Sequence, residues 1–257
     1  LCPDSPLTPD TSDRYVAPAA APDGRIAFVY TRRRAEAAGF SSYQLVLGSL
    51  RFGGATRLLA ELPFTLDGEP TYNGISHLRW LSPDTIIYRG DFEGRVCLSG
   101  PPCAAYEARS GRGLVLHRLS TGERQLIPGT RYASSVTVSE PGVILYTLGG
   151  DTRVFRRNLA TGVVTVVYDA GSDIVREVEA AGNRLVLLAG GSVSFYEIES
   201  VGLIQVDRGG QIRVLDLATG EVTVVDLSAP WRQLALSPDG RRLVAESSGD
   251  LFLLELP

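Results

Sequence analysis

Two histidines, three cysteines, a recurring aspartate and one arginine run are the residues from which this chain could assemble chemistry. His77 lies in I-S-H-L-R-W beside Trp80, and His117 in L-V-L-H-R-L. Both sit in alternating apolar segments, which predicts hydrogen-bonded strand histidines; catalytic or metal duty would require partners from distant segments. Asp23, Asp84 and Asp239 recur in A-P-D-G, L-S-P-D-T and L-S-P-D-G. Two carboxylates at the right separation suffice to cleave a glycosidic bond. An aspartate that follows proline in a turn is, however, better suited to accepting bonds from its own backbone, so the turn role is the expectation. The chain has no G-x-S-x-G elbow, H-E-x-x-H pair, phosphate-cradling glycine loop or EF-hand spacing. The sequence therefore assigns no catalytic residue, no metal ligand and no cofactor.

Cys97 and Cys103 flank C-L-S-G-P-P-C, a short loop stiffened by Pro101 and Pro102. The expectation is a disulfide, because the spacing matches no common zinc site and a closed loop of this kind belongs to an oxidising compartment. Two unpaired thiols are the alternative. Cys2 is left over, a candidate lipid anchor after signal cleavage, although Leu1 stands where a small residue would be expected. Arg32, Arg33 and Arg34, with Arg51 and Arg57 nearby, could meet an anionic polymer, but Glu36 and Glu61 lie close in sequence and favour a solvated face. Aromatic residues that could anchor a partner are Phe40 and Tyr43 in one segment, Phe92 and Tyr106 in a second, and Phe195 and Tyr196 in a third.

The elements that must position these residues repeat. L-S-T-G-E-R-Q-L-I from Leu119 recurs as L-A-T-G-V-V-T-V-V from Leu159 and L-A-T-G-E-V-T-V-V from Leu217, each two alternating runs joined by Thr-Gly. Upstream of the hairpins stand A-P-D-G-R-I-A-F-V-Y from Ala21, L-S-P-D-T-I-I-Y from Leu81, S-E-P-G-V-I-L-Y from Ser139 and L-S-P-D-G-R-R-L-V-A from Leu236, with a degenerate copy at Ala180. Proline presets the first turn position and Asp-Gly supplies the rest, so each joins two short strands. The unit is strand, turn, strand, variable connection, strand, turn, strand. Repeated at roughly 40 residues or more, it is the signature of a propeller blade.

The fold expectation is all-β, a single β-propeller of five four-stranded blades at residues 15–62, 72–128, 132–169, 173–227 and 229–257. The last unit holds only three strands, and residues 1–14 are the segment that could close it, at best as an edge strand because of Pro3, Pro6 and Pro9. Trp80 and Trp231 are expected to pack between blades. Insertions between the second and third strands at 31–42, 90–113 and 190–210 should all emerge on one face, the third as a β-ribbon.

With 44% hydrophobic and 21% charged residues the chain is ordinary globular material, and a net charge of -4 argues against a nucleic-acid surface. All basic residues are arginine; both ion-pair networks and a GC-rich genome produce this. No apolar run reaches the roughly 20 residues that span a bilayer. The segment from Leu236 to Leu256, together with the Thr-Gly hairpins, resembles the WD-like repeats of the TolB-type propeller family. That resemblance covers the chain from about Tyr15 and implies a periplasmic propeller engaging protein partners, although the family's usual six blades and its N-terminal α/β domain are not matched. The functional expectation is a non-catalytic secreted or cell-envelope scaffold, extracellular or periplasmic, that binds a protein or its own copies through the insertions. A polysaccharide-binding or glycoside-cleaving propeller is the alternative.

Overall fold

The computed structural model describes residues 14–21, 23, 25–33, 41–49, 57–62, 65–66, 69–70, 76–97, 106–198, 202–208, 210–225, 231–247 and 250–256. Every regular element among them is a β-strand. The chain divides into two compact units, Leu1–Arg131 and Tyr132–Pro257.

In the first unit, β1 (Arg14–Ala20), β2 (Arg25–Arg33), β3 (Ser41–Ser49) and β4 (Arg57–Leu62) form an antiparallel meander. A two-residue pair, β5 (Thr65–Leu66) and β6 (Glu69–Pro70), follows. The second sheet is β7 (Ser76–Ser82), β8 (Thr85–Cys97), β9 (Tyr106–Arg118) and β10 (Arg124–Leu126), again in sequence order. Ala27, Val29, Leu78, Ile86, Tyr88 and Val115 of the two sheets form one buried cluster. Trp80 packs against it, donates its indole N–H to the Ala19 carbonyl at 2.9 Å and lies under the Arg25 guanidinium at 4.8 Å.

The second unit holds a third sheet of β11 (Ala133–Glu140), β12 (Val143–Leu148), β13 (Arg153–Asn158) and β14 (Val164–Asp169). The fourth sheet comprises β15 (Val175–Ala181), β16 (Arg184–Ala189), β19 (Gln211–Asp216) and β20 (Val222–Val225). Between its second and third strands β17 (Ser192–Ile198) and β18 (Gly202–Arg208) pair as a separate ribbon. The fifth sheet is β21 (Trp231–Leu236), β22 (Arg242–Ser247) and β23 (Asp250–Glu255). Among the described residues, then, four sheets carry four strands and the fifth carries three, so the expected fivefold set of four-stranded blades is met by four. Of the expected closing segment, residues 1–14, all but Arg14 lie outside the described residues, and Arg14 belongs to β1.

Leu145, Val178, Leu185, Leu187 and Leu215 fill the space between the third and fourth sheets, and Val186, Leu188, Trp231, Leu234 and Leu243 that between the fourth and fifth. Each fully buried Leu, Ile or Val is worth about 1.5–3 kcal/mol. Trp231 is sealed, with Phe252 edge-on at 5.4 Å.

The recurring turns explain the repeat. Gly122, Gly162 and Gly220 take φ of 71°, 73° and 77°, and their amides bond back to the carbonyls of Arg118, Asn158 and Asp216 at 2.8 Å. This left-handed closing position favours glycine. Threonine before each glycine accepts the amide that follows it, Thr121 from Glu123, Thr161 from Val163 and Thr219 from Glu221. Asn158 and Asp216 cap the turn by accepting two amides each, those of Ala160 and Thr161 and those of Ala218 and Thr219. In the second sheet Arg118 stands at that position and has no acceptor. Asp84 of the other turn supplies one, taking the Ser120 amide at 2.8 Å and the Ser120 hydroxyl at 2.6 Å.

Candidate functional site

Two of the three insertions are extensions of their sheets, and the third is a ribbon of its own. In the second sheet β8 and β9 pair without interruption from Thr85↔Arg118 through Gly90↔Gly113 to Cys97↔Tyr106. In the first, β2 and β3 continue past Thr31↔Tyr43 to Arg33↔Ser41. In the fourth, the ribbon runs from Ser192↔Arg208 to Ile198↔Gly202. All three occupy the same topological position, the connection between the second and third strands.

Their attachments differ. Gly113 is required by close approach, because a Cβ there would lie 2.9 Å from Thr130 Oγ1. The fourth-sheet ribbon is bracketed by Gly190 and Gly191 at φ 76° and 84° and by Gly210 at 121°, conformations that let the chain leave the plane of its sheet. A side chain at Gly210 would also meet Arg176 Nη2 at 2.6 Å.

The expected binding residues fall on these ribbons. Arg32, Arg33 and Tyr43 lie on the first, Phe92 and Tyr106 on the second, and Phe195 and Tyr196 on the third, paired with Gln205 and Ile204. Arg34 and Phe40 lie outside the described residues, as does Cys103, so the expected Cys97 to Cys103 bond falls beyond them; Cys97 ends β8.

The recurring aspartates do not converge on one site. Asp23 accepts the amide and Nε of Arg25 at 3.1 and 2.8 Å, and Asp239 the Ser237 hydroxyl and the Arg241 amide at 2.5 and 3.1 Å. The Arg25 side chain holds Asp23 below the usual carboxylate range, and the Ser237 hydroxyl does the same for Asp239. His77 sits on a bulge of β7 at φ 52°, with Nδ1 3.0 Å from Ser76 Oγ. Burial, then the Arg79 and Arg89 guanidinium charges, pushes its pKa down to about 3, which keeps the ring neutral. His117 is buried in β9 with its ring 6.4 Å from that of Tyr88. Burial drives the Tyr88 hydroxyl up to about 12 against the opposing pull of Arg124. Among the described residues no three His, Cys, Asp or Glu side chains gather to hold a metal ion.

A polar seam along the first strands of the second unit escaped the sequence reading. Ser135 Oγ accepts the Val178 amide at 3.2 Å, Thr137 Oγ1 the Ala180 amide at 3.3 Å, and Glu177 Oε2 the Leu234 amide at 3.1 Å. β15 and β21 are sheet edges, and side chains of the preceding sheet satisfy these amides of theirs. Thr137 also donates to Glu179 Oε2 at 3.5 Å. Glu177 and Glu179 are each 7% exposed. The signal was the alternation E-V-E in the strand V-R-E-V-E-A-A, which reads as a solvated face until the adjoining strand is placed.

Between β12 and β13, a shallow depression of about 550 Å³ joins Tyr132, 67% exposed, to Asp151, Thr152 and Arg153. Asp151 binds the Arg153 guanidinium at 2.9 Å and is held low by it.

No protein-family model and no curated protein sequence matches the chain. Solved structures do. The crystal structure of a nidogen/laminin complex matches 94% of this chain and 76% of its own at TM-score 0.59 and 9% identity. XC5397 from Xanthomonas campestris, a gluconolactonase, matches 95% of this chain and 86% of its own at TM-score 0.55 and 11% identity. The GH74 enzyme of Niastella koreensis matches 91% of this chain at TM-score 0.54 and 14% identity, the chain spanning 34% of that protein. These likenesses, with the successive four-stranded meanders, identify the fold as a β-propeller.

Proposed function

We propose that this propeller is a non-catalytic scaffold that recognises a protein partner, or further copies of itself, through the ribbons at the second-to-third-strand connections. The observation that carries this is the ribbon of the fourth sheet. Its strands pair with each other and not with the sheet, so it adds backbone-ordered surface that the blade does not need for its own register. In a closed ring that connection falls on one rim in every blade, where recognition loops on rigid scaffolds concentrate. Five blades, the last completed by residues 1–14, are the arrangement we favour, supported by the exposed edge of β23. The WD-like repeat at Leu236 to Leu256 supports a TolB-type propeller of the secreted or cell-envelope class, and a Cys97 to Cys103 bond would suit that compartment. A propeller in a nidogen/laminin complex gives the fold a precedent in protein assembly.

The competing glycoside-cleaving reading needs a free pair of carboxylates. Among the described residues the buried acids are Glu177 and Glu179, and Glu177 accepts the Leu234 amide. The decisive experiment shortens each insertion to a tight turn, establishes that the protein still folds, and compares partner capture from envelope extracts with hydrolysis of a glycan panel. Loss of capture on trimming supports the scaffold. Glycan hydrolysis abolished by Glu177→Gln or Glu179→Gln replaces it with the enzyme.

A further inference from the structure

The third sheet has a tight turn at the connection where the first, second and fourth carry insertions. Its β12 and β13 pair up to Thr147↔Val154, and Leu148-Gly149-Gly150-Asp151-Thr152-Arg153 crosses between them. This turn floors the depression of about 550 Å³ beside Tyr132. Backbone bonds hold the floor on two sides. The Gly149 amide donates to the Tyr132 carbonyl at 2.7 Å, the Ala170 amide to the Thr152 carbonyl at 2.9 Å and the Val175 amide to the Asp151 carbonyl at 3.0 Å. Gly149 and Gly150 put no side chain over it, and a Cβ at Gly150, where φ is 80°, would meet nothing within 4 Å. Bare backbone of this kind lets a ligand approach closely.

The side chains around the floor supply a ring, a donor and an acceptor. Tyr132 is 67% exposed and lines the depression. Arg153 and Asp169 are register partners across β13 and β14, so their side chains share one face of the sheet. Asp151 engages Nε and Nη2 of Arg153 at 2.9 Å each, and the guanidinium lies 5.1 Å from the centre of the Phe155 ring. That arrangement fixes the guanidinium and leaves Nη1 to donate. Asp169 Oδ1 accepts the Thr152 hydroxyl at 2.9 Å and the Gly171 amide at 3.0 Å, which fixes the carboxylate and leaves Oδ2 to accept.

Neighbouring hydroxyls on a sugar ring need this set. One hydroxyl accepts from Arg153, the next donates to Asp169, and the apolar C–H face of the ring lies on Tyr132. The lining disfavours the other classes. Asp151 and Asp169 outnumber Arg153, so phosphate and other anions are repelled. Among the described residues Leu148 is the sole aliphatic side chain in the lining, which leaves a peptide's apolar side chains nothing to enter. We infer that this depression is a saccharide-binding site, which takes a neutral pyranoside through two adjacent hydroxyls and one apolar face.

The full chain, labelled with nitrogen-15, is titrated with methyl β-glucoside and methyl β-galactoside while the amides of Gly149, Gly150 and Thr152 are followed. Saturable shifts with a Kd on the order of 1 mM are expected for at least one of the two. Tyr132→Ala should weaken binding at least about tenfold and Tyr132→Phe by less than about twofold, because the ring is the platform. Asp169→Asn keeps the bonds from Thr152 and Gly171 on its carbonyl oxygen and sets an amide donor where the sugar needs an acceptor. It should weaken binding about fivefold with the melting temperature unchanged. A protein lacking residues 192–208 should bind the glycoside as the full chain does, so the outcome here is independent of the ribbon surface. The inference is overturned by the absence of saturable shifts with both glycosides, by Tyr132→Ala binding as the full chain does, or by acetyl-Ala-Ala-amide or inorganic phosphate shifting the same amides as strongly.

Discussion

The fourth and fifth sheets share a face and a repeat but not a third strand of the same kind. In the fourth, β19 lies between β16 and β20, and Ile212, Val214 and Leu215 are buried. In the fifth, β23 pairs with β22 in unbroken register from Arg242↔Glu255 to Ser247↔Asp250, yet Leu251, Phe252 and Leu253 are 74%, 42% and 63% exposed. Both strands are apolar by sequence. What separates them is the neighbour: β20 pairs with the outer edge of β19, whereas among the described residues no strand pairs with the outer edge of β23. The edge of β23 has no proline and no bulge to discourage pairing, the composition of a strand meant to be covered. The β17–β18 ribbon teaches the converse, since its two strands pair with each other and not with the fourth sheet.

This contrast can be broken most sharply by truncating one leucine on each strand. Leu215→Ala should cost about 2–4 kcal/mol in chemical denaturation, as for other buried leucines. Leu253→Ala should cost under about 0.5 kcal/mol, as for surface substitutions. Equal losses would mean that β23 is covered, and deleting residues 1–13 would then show whether that segment covers it.

The seam between the two sheets is the next largest effect. Glu177→Ala strips the acceptor from the Leu234 amide and should cost about 1–3 kcal/mol, with Glu177→Gln costing less. Hydrogen exchange at Leu234 is the specific readout, accelerating in the alanine variant and not in the glutamine variant. Unchanged exchange in both would remove the edge-capping role.

His77 gives the comparison a pH axis in the first unit. Its folded pKa is depressed to about 3 from 6.5. The unfolded chain therefore binds a proton that the folded chain refuses, so the neutral ring's contribution is fully present above pH 6.5 and is lost as pH falls toward 3. The slope from this residue is at most about 1.4 kcal/mol per pH unit. His77→Asn tolerates the positive φ and removes the titration, so stability measured from pH 7 to 5 should flatten. An unaltered slope would assign acid sensitivity elsewhere.

The smallest effect tests how one turn substitutes for another. Asp84→Ala should cost about 0.5–1 kcal/mol by freeing the Ser120 amide, and Arg118→Asp in the same protein should recover it by installing the cap that Asp216 provides in the fourth sheet. Additive losses would refute the exchange.

These contrasts also mark what the chain made legible. The Thr-Gly and Pro-Asp-Gly turns have local causes, a positive-φ glycine and a side chain bonding within a few residues, so the strand order and the positions of all three insertions followed from them. The long ribbon of the fourth sheet was readable because S-V-S-F-Y-E-I alternates. The Ser135, Thr137 and Glu177 seam was not, since its partners lie 43, 43 and 57 residues away and depend on how neighbouring sheets stack. Asp84 misled for the same reason. Its motif is that of a self-bonding turn, but Arg118 leaves a distant amide in greater need.

The most direct measurement joins Gly191 to Gly209, deleting residues 192–208 while keeping the Ala189↔Gln211 pairing that closes the fourth sheet. Thermal unfolding and partner capture, or self-association by sedimentation, are then compared with the full chain. The scaffold reading predicts a melting temperature within about 2 °C of the full chain, as for changes at dispensable surface, together with loss of binding. A protein that unfolds several degrees lower, or one that keeps both its stability and its binding, would contradict it.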